Sequence, residues 1–379
     1  MKHIIGVKPE APGGALATPV APAAQWLTVS EDETDQRLDN YLMRQLKGVP
    51  KTHIYRIIRS GEVRVNKGRA GADTRVKAGD VVRLPPVRVS ERAQDKAATM
   101  ATLSATAGPL RSFDILHEDE AFLALVKPAG VAVHGGSGVS FGVFEQLRMA
   151  RPQARFLELV HRLDRETSGI LLVAKKRSAL KNLQEQFRQR QTGKTYLTLV
   201  LGDWPAHKKV LDKPLHKYLL DSAGAGAGAG AAGDGDGERR VKVVARDDPD
   251  GMPSVTLVKV LARSAPGAAQ AMSLLAVTIK TGRTHQIRVH LASEGMPIVG
   301  DDKYGNFEKN KDWARAAVPL KRMFLHAWRL QIVHPASGDA VALQAPLAAE
   351  LLPFLQARLP GALATIATNS TAAKQIDAL

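Results

Sequence analysis

The sequence predicts an α+β protein, a mixed and largely antiparallel β-sheet domain preceded by a small basic α/β module. Three observations carry that expectation. After residue 112, strand-length apolar runs (Phe122 to Val126, Tyr196 to Leu201, Val255 to Leu261, Leu274 to Ile279, Leu325 to Val333) outnumber helical stripes. Before residue 88, two helical stripes are followed by two short strands. With 379 residues, the chain is long enough for two to three domains, each with its own core.

Residues 1–34 are rich in Ala, Pro and Gly, as in Pro9-Glu10-Ala11-Pro12-Gly13-Gly14, and read as a disordered tail. Residues 35–87 form the basic module. Leu38, Tyr41, Leu42 and Leu46 share one helical stripe. Pro50 precedes a second helix, Lys51 to Ser60, with Ile54, Ile57 and Ile58 turned inward and Gly61 at its end. Strands follow at Val63 to Asn66 and Asp80 to Leu84. The module holds 12 Lys and Arg against 5 Asp and Glu, a net of +7. Residues 88–111 are small and polar, a linker. The second domain is expected over 112–358, with one clear helix that Ser178 can cap and in which Leu180, Leu183 and Phe187 recur. Its strand order is not legible. Gly and Ala alternate through 223–237, a floppy loop insertion without chemistry, and 359–379 read as a second flexible tail.

Formal charge is +16, from 53 Lys and Arg against 37 Asp and Glu. That excess favours a polyanionic partner, because each neutralised phosphate releases condensed counterions. A membrane surface is disfavoured, since no basic amphipathic helix stands out and no apolar run approaches the roughly 20 residues of a span. The opening Met1 to Lys8 has too short an apolar run for a secretory signal. The absence of cysteine excludes disulfides, thiolate nucleophiles and cysteine-ligated zinc, and suits a cytoplasmic protein.

The most informative segment is Glu158-Leu159-Val160-His161-Arg162-Leu163-Asp164-Arg165-Glu166-Thr167-Ser168-Gly169. It sets Asp164 among arginines in a polar turn between apolar runs, where a rigid scaffold commonly holds reactive side chains. Lys194-Thr195-Tyr196 starts a strand thirty-two residues later. Gly282-Arg283-Thr284-His285-Gln286-Ile287-Arg288-Val289-His290 follows a strand and opens a helix, with His285 and Arg288 on one face. Arg322-Met323-Phe324-Leu325-His326-Ala327 and Val126-Lys127-Pro128-Ala129-Gly130 complete the set.

In this order the motifs resemble those of the RluA family of RNA pseudouridine synthases, and residues 35–87 resemble an S4 RNA-binding domain. The resemblance runs from about Asp35 to Phe354, and the S4 module points to the branch acting on large-subunit ribosomal RNA. It implies a catalytic domain of the pseudouridine synthase fold and isomerisation of uridine to pseudouridine in 23S ribosomal RNA, free or in an assembly intermediate. It further implies Asp164 as nucleophile or electrostatic partner of the sugar, Tyr196 stacked on the base and taking the C5 proton, and Arg288 as the counterion of Asp164. Leu325 would pack by the base, and Arg162 would fill the space the flipped base leaves. His161 and His285 are expected at the substrate, and Lys51, Arg56, Arg59, Arg64 and Lys67 on the RNA backbone. The reaction involves no redox change or energy input, so no cofactor and no metal are expected. A monomer is expected.

Other readings are weaker. The His134 to Gly142 loop lacks both the dinucleotide fingerprint and the lysine of a P-loop, and Ser137 sits in no nucleophile elbow. His161, His285, His290, His326 and His334 show no metal-ligand spacing and read as structural histidines. An inactive RNA-binding assembly factor would have no need of Asp164, Tyr196 and Arg288 together. A DNA-binding regulator would need a recognition helix and a dimer signature.

Overall fold

A computed structural model describes residues 24–46, 49–87, 112–135, 142–219 and 239–376. The linker 88–111, the centre of the glycine-rich loop at 136–141 and the Gly/Ala insertion at 223–237 lie outside them. The chain divides into two compact units, Met1–Pro109 and Leu110–Leu379.

In the first unit β1 is Gln25–Thr28, β2 Gln36–Arg37, α1 Leu38–Gln45, α2 Lys51–Arg59, β3 Arg64–Val65, β4 Gly68–Arg69, β5 Arg75–Val76 and β6 Val81–Leu84. Four strands form a sheet in the order β1-β6-β3-β4, while β2 pairs with β5. The expected inward residues Leu38, Tyr41, Leu42, Ile54, Ile57 and Ile58 are buried in one cluster. The unit starts earlier than the composition of its tail implied. Gln25–Thr28 pairs antiparallel with β6, and Val29 is buried in the same cluster. Ser30 and Glu33 cap the short 3-10 turn that follows. A Ser-x-x-Glu capping box was present in the sequence and marks this start.

In the second unit β7 is Ile115–Glu118, β8 Phe122–Lys127, α3 Val143–Ala150, β9 Glu158–Leu159, β10 Ser168–Ala174, α4 Arg177–Arg188 and β11 Gly193–Leu201. There follow β12 Val210–Asp212, β13 Leu215–Leu219, β14 Arg239–Val243, β15 Val255–Arg263, β16 Met272–Ile279, α5 Gln286–Ser293 and α6 Phe307–Arg315. The unit closes with β17 Leu325–Val333, β18 Ala340–Gln344, α7 Leu352–Arg358 and α8 Ala362–Ile376. Ten strands make one sheet, in the order β12-β15-β16-β11-β17-β10-β8-β7, with β18 on β17 and β9 on β10. Among the described residues of this sheet only β10 and β17 run parallel.

Around β8 and β10 that sheet is covered on both faces. Alternate side chains of β8 and β10 go to different clusters: Phe122, Ala124, Ile170 and Leu172 meet Leu183 of α4, while Leu123, Leu125, Leu171 and Val173 meet Val143 and Leu147 of α3. Double coverage is why β10 reads as an unbroken apolar run and not as an alternation. The helix predicted around Leu183 begins at Arg177 with Lys176 as its N-cap and no side-chain cap, so Ser178 lies inside it. The expected C-terminal tail is instead a helix. Leu359, Ala362 and Ile366 join Phe354 and Leu355 in the main core, and Asn369 accepts hydrogen bonds from Lys259 (2.8 Å) and Arg329 (2.7 Å).

Candidate active site

Asp164 sits in the loop between β9 and β10, and that loop is tied down by buried polar contacts. Lys127, fully buried, points its ammonium at the carbonyls of Pro128 (2.8 Å), Val131 (2.9 Å) and Arg165 (3.0 Å). Burial pushes its pKa down to about 7, helped by Arg322 and opposed by Glu166 and Asp164. At the other end, the Ser168 hydroxyl accepts from Arg322 Nη2 (2.9 Å) and meets His326 Nδ1 (2.9 Å). Gly169 (φ 111°) lets β10 touch β17; a Cβ there would stand 2.2 Å from the Ala327 carbonyl oxygen. This crossing brings Leu325 to the Asp164 loop.

Arg288, on α5, is 5% exposed and lies 3.6 Å (Nη1 to Oδ2) from Asp164, whose side chain is 31% exposed. Its tighter partner is Asp301, which is fully buried and takes Nε at 2.8 Å and Nη2 at 2.7 Å. Asp302 adds a contact of 3.3 Å. Burial alone would disfavour the guanidinium charge, but the hydrogen bonds and charge of Asp301, with Asp164 and Asp302, raise its pKa. Burial opposes ionisation of Asp301 most strongly, but the hydrogen bonds and charge of Arg288 and the backbone N–H groups of Tyr304 and Lys303 together outweigh it, holding that carboxyl below its usual range. Arg288 is thus a fixed cation aimed at Asp164 from a rigid anchor.

Tyr196 stands where the β11–β17 register shifts, between Thr195 and Tyr196. Such an irregularity re-aims a side chain, here toward Asp164. Burial, then the Asp164 charge, push the phenol pKa above its ordinary value, so the hydroxyl is protonated at neutral pH. Arg162, Asp164, Tyr196, His285, Arg288 and Leu325 all line one cavity of about 110 Å³. Ile279 and Ile287 add apolar wall to a cavity that also presents an acid, a fixed cation and a phenol.

Residues 121–293 match the family model for RNA pseudouridylate synthase, and residues 36–82 match the S4 domain. The chain is 49% identical over 335 residues to ribosomal large subunit pseudouridine synthase C of Pasteurella multocida, covering 88% of this chain and 94% of that relative. It is 47% identical over 326 residues to the protein of that name from Escherichia coli K12, covering 86% and 94%. Among solved structures it is similar to human RNA pseudouridylate synthase domain containing 4, at 25% identity and TM-score 0.49 over 69% of this chain and 97% of that one. The chain belongs to the RNA pseudouridylate synthase family.

In this pseudouridylate synthase, five of the six cavity residues named above come from the three motifs around Asp164, Arg288 and Leu325, and Tyr196 comes from the fourth. His161 is a correction. It does not line the cavity; its Nε2 accepts the Leu172 N–H (3.2 Å) and its ring stacks on Phe187 at 4.8 Å. Burial drives its pKa to about 4, so it is a neutral acceptor that braces β10. Two further histidines of the sequence have structural partners: His290 bridges Thr256 and Lys213, and His334 meets Asp119. Lys51, Arg56, Arg59, Arg64 and Lys67 are all exposed on the first unit, and none forms an ion pair among the described residues. Arg69 joins Arg59 in lining a shallow hollow and was not anticipated. Asp301 and Tyr304 were missed as well. In sequence, Asp301-Asp302-Lys303-Tyr304-Gly305 reads as an ordinary surface turn, and nothing local marks its carboxylate as the anchor of Arg288.

Proposed function

We propose that this protein isomerises uridine to pseudouridine in the RNA of the large ribosomal subunit, 23S ribosomal RNA. The observation that carries the reading is Asp164, a partly exposed carboxylate at a cavity that also holds Tyr196, Leu325 and the anchored Arg288. The relatives named for ribosomal large subunit pseudouridine synthase C support the choice of RNA.

The reaction breaks the N1–C1′ bond, turns the base and joins C5 to C1′; C5 loses its proton and the freed N1 gains one, so the product is an isomer of the substrate. Asp164 meets the positive character at C1′, or adds to the base at C6, with Arg288, 3.6 Å away, as its counterion. Tyr196 and Leu325 hold the flipped base, with the Tyr196 oxygen taking part in C5 proton loss. Arg162, at the exposed rim, enters the gap left by the base. His285 acts inside the cavity, and Lys51, Arg56, Arg59, Arg64 and Lys67 engage phosphates. The isomerisation is redox-neutral and hydrolyses nothing, so its chemistry needs no cofactor or metal.

The protein acts as a monomer in the cytoplasm, where ribosomal RNA is assembled. Among the described residues no helix is long and apolar enough to cross a membrane. Mapping pseudouridines in 23S RNA from cells with and without this chain tests the reading. Loss of specific sites is expected; an unchanged map refutes it.

A further inference from the structure

Tyr304 touches both groups that face Asp164. Its ring lies by the Arg288 guanidinium, with Cζ 5.2 Å from the ring centroid, and meets the His285 ring edge-on at 5.5 Å. Its backbone N–H donates to Asp301 Oδ1 (2.9 Å), the oxygen that also accepts Arg288 Nη2. Its hydroxyl stands 3.1 Å from the Val241 nitrogen and 2.8 Å from His285 Nδ1.

The direction of these bonds fixes a proton. The Val241 N–H can only donate, so it occupies a lone pair of the Tyr304 oxygen. Among the described residues, His285 Nδ1 is then the acceptor left for the hydroxyl proton. That requires Nδ1 to be unprotonated. Burial disfavours the imidazolium; Asp164 and Asp301 favour it, Arg288 and Lys303 oppose it, and the balance lowers the His285 pKa. The neutral ring therefore carries its proton on Nε2, which lies 3.8 Å from Asp164 Oδ2. Arg288 Nη1 approaches the same oxygen. His285 also sits at φ 52°, a left-handed conformation uncommon for a side chain of this size, which its surroundings must hold in place.

We propose that Tyr304 is a positioning residue: its hydroxyl locks His285 as the Nε2–H tautomer, so that imidazole and Arg288 together hold Asp164 Oδ2 and turn Oδ1 toward the uridine. The role of the carboxylate rests on the isomerase reading above. The hydrogen-bond chain also ties the site to the β13–β14 hairpin through Val241, which pairs with Lys217.

Tyr304→Phe removes the hydroxyl and keeps the ring and the backbone bond to Asp301. His285→Gln places an amide N–H donor near the former Nε2–H, with no tautomer to fix. Tyr304→Phe should lower kcat about tenfold at saturating RNA with KM within about twofold, yet cost less than about twofold when added to His285→Gln. Selective ¹⁵N-histidine labelling reads the tautomer without turnover, the His285 signals being assigned by their loss in His285→Gln. Wild-type protein should show Nε2–H with bare Nδ1, and Tyr304→Phe a shift toward Nδ1–H. An Nδ1–H tautomer in active wild-type protein, or equal kcat losses in both backgrounds, overturns the Tyr304 role alone. Where His285→Gln does not fold, the comparison of wild type with Tyr304→Phe decides. Absence of pseudouridine with wild-type protein overturns the isomerase reading itself.

Discussion

Asp301→Asn removes one charge and almost no volume from the anchor of Arg288. Asp301 Oδ1 accepts three donors, Arg288 Nη2, Lys303 N and Tyr304 N, while Oδ2 accepts Arg288 Nε. An asparagine amide keeps its oxygen where three donors meet, which turns its NH₂ against Arg288 Nε. One charge-assisted hydrogen bond is lost outright, worth about 1.5–3 kcal/mol. The guanidinium, 5% exposed, is also left short of a counter-charge, and breaking a buried pair from one side costs about 3–5 kcal/mol in total. We therefore expect Asp301→Asn to lower unfolding free energy by about 3 kcal/mol or more in urea titrations. Turnover should fall on the order of a hundredfold, because a cation displaced by about 1 Å no longer aims at Asp164. Asp302→Asn is the control. That side chain is 76% exposed and 3.3 Å from Arg288, so it should cost less than about 1 kcal/mol. An Asp301→Asn protein within about 0.5 kcal/mol of wild type, with turnover intact, refutes Asp301 as the anchor.

Three further outcomes follow from the packing and charges. Gly169→Ala puts a methyl 2.2 Å from the Ala327 carbonyl oxygen at φ 111°, so it should cost about 3 kcal/mol or more and lower Tm by roughly 6–12 °C; an unchanged Tm contradicts the close crossing of β10 and β17. Glu118 is held at a pKa of about 2 by Arg151 hydrogen bonds and then Lys175, against a smaller opposing effect of burial, so its stabilisation is complete above the ordinary carboxylate range and fades as pH falls toward 2. Glu118→Gln should cost about 1–2 kcal/mol at neutral pH and progressively less in acid, and a pH-independent difference would contradict the pairing. Reversing Arg59 and Arg64 to Glu should weaken RNA binding and flatten its salt dependence by about 0.7–0.9 in log–log slope per lost phosphate contact, with single-turnover rate at saturating RNA retained; an unchanged slope removes the first unit's cations from the RNA grip.

The sequence disclosed what local pattern can encode. The apolar run Phe122 to Val126 announces β8 as a buried strand, and the helical stripes of α1 and α2 place the same side chains inside. Motif residues announced Asp164, Tyr196, Arg288 and Leu325, and all four line one cavity. What stayed hidden is non-local. The parallel pairing of β10 with β17 joins Ser168 to His326, and no pattern in either segment declares the partner. Asp301 and Tyr304 act through groups more than a dozen residues away, so their chemistry exists only in the fold. The segment of α8 reads as a tail because Ala and Thr dominate it, yet Ala362 and Ile366 seat it on the core. His161 shows the reverse error, since membership of a motif does not place a side chain at its site: the ring turns away to stack on Phe187.

Asp164→Asn tests the central claim most directly. The amide preserves shape and removes the negative charge, and no other carboxylate is among the residues lining the cavity. Tritium release from C5-labelled uridine in 23S transcripts should vanish, while the folded variant still binds the RNA with wild-type affinity and salt dependence. Release at more than about one per cent of the wild-type rate by a verified, uncontaminated Asp164→Asn preparation would contradict the assignment of Asp164 to the chemistry, since losing an essential nucleophile or charge costs several powers of ten.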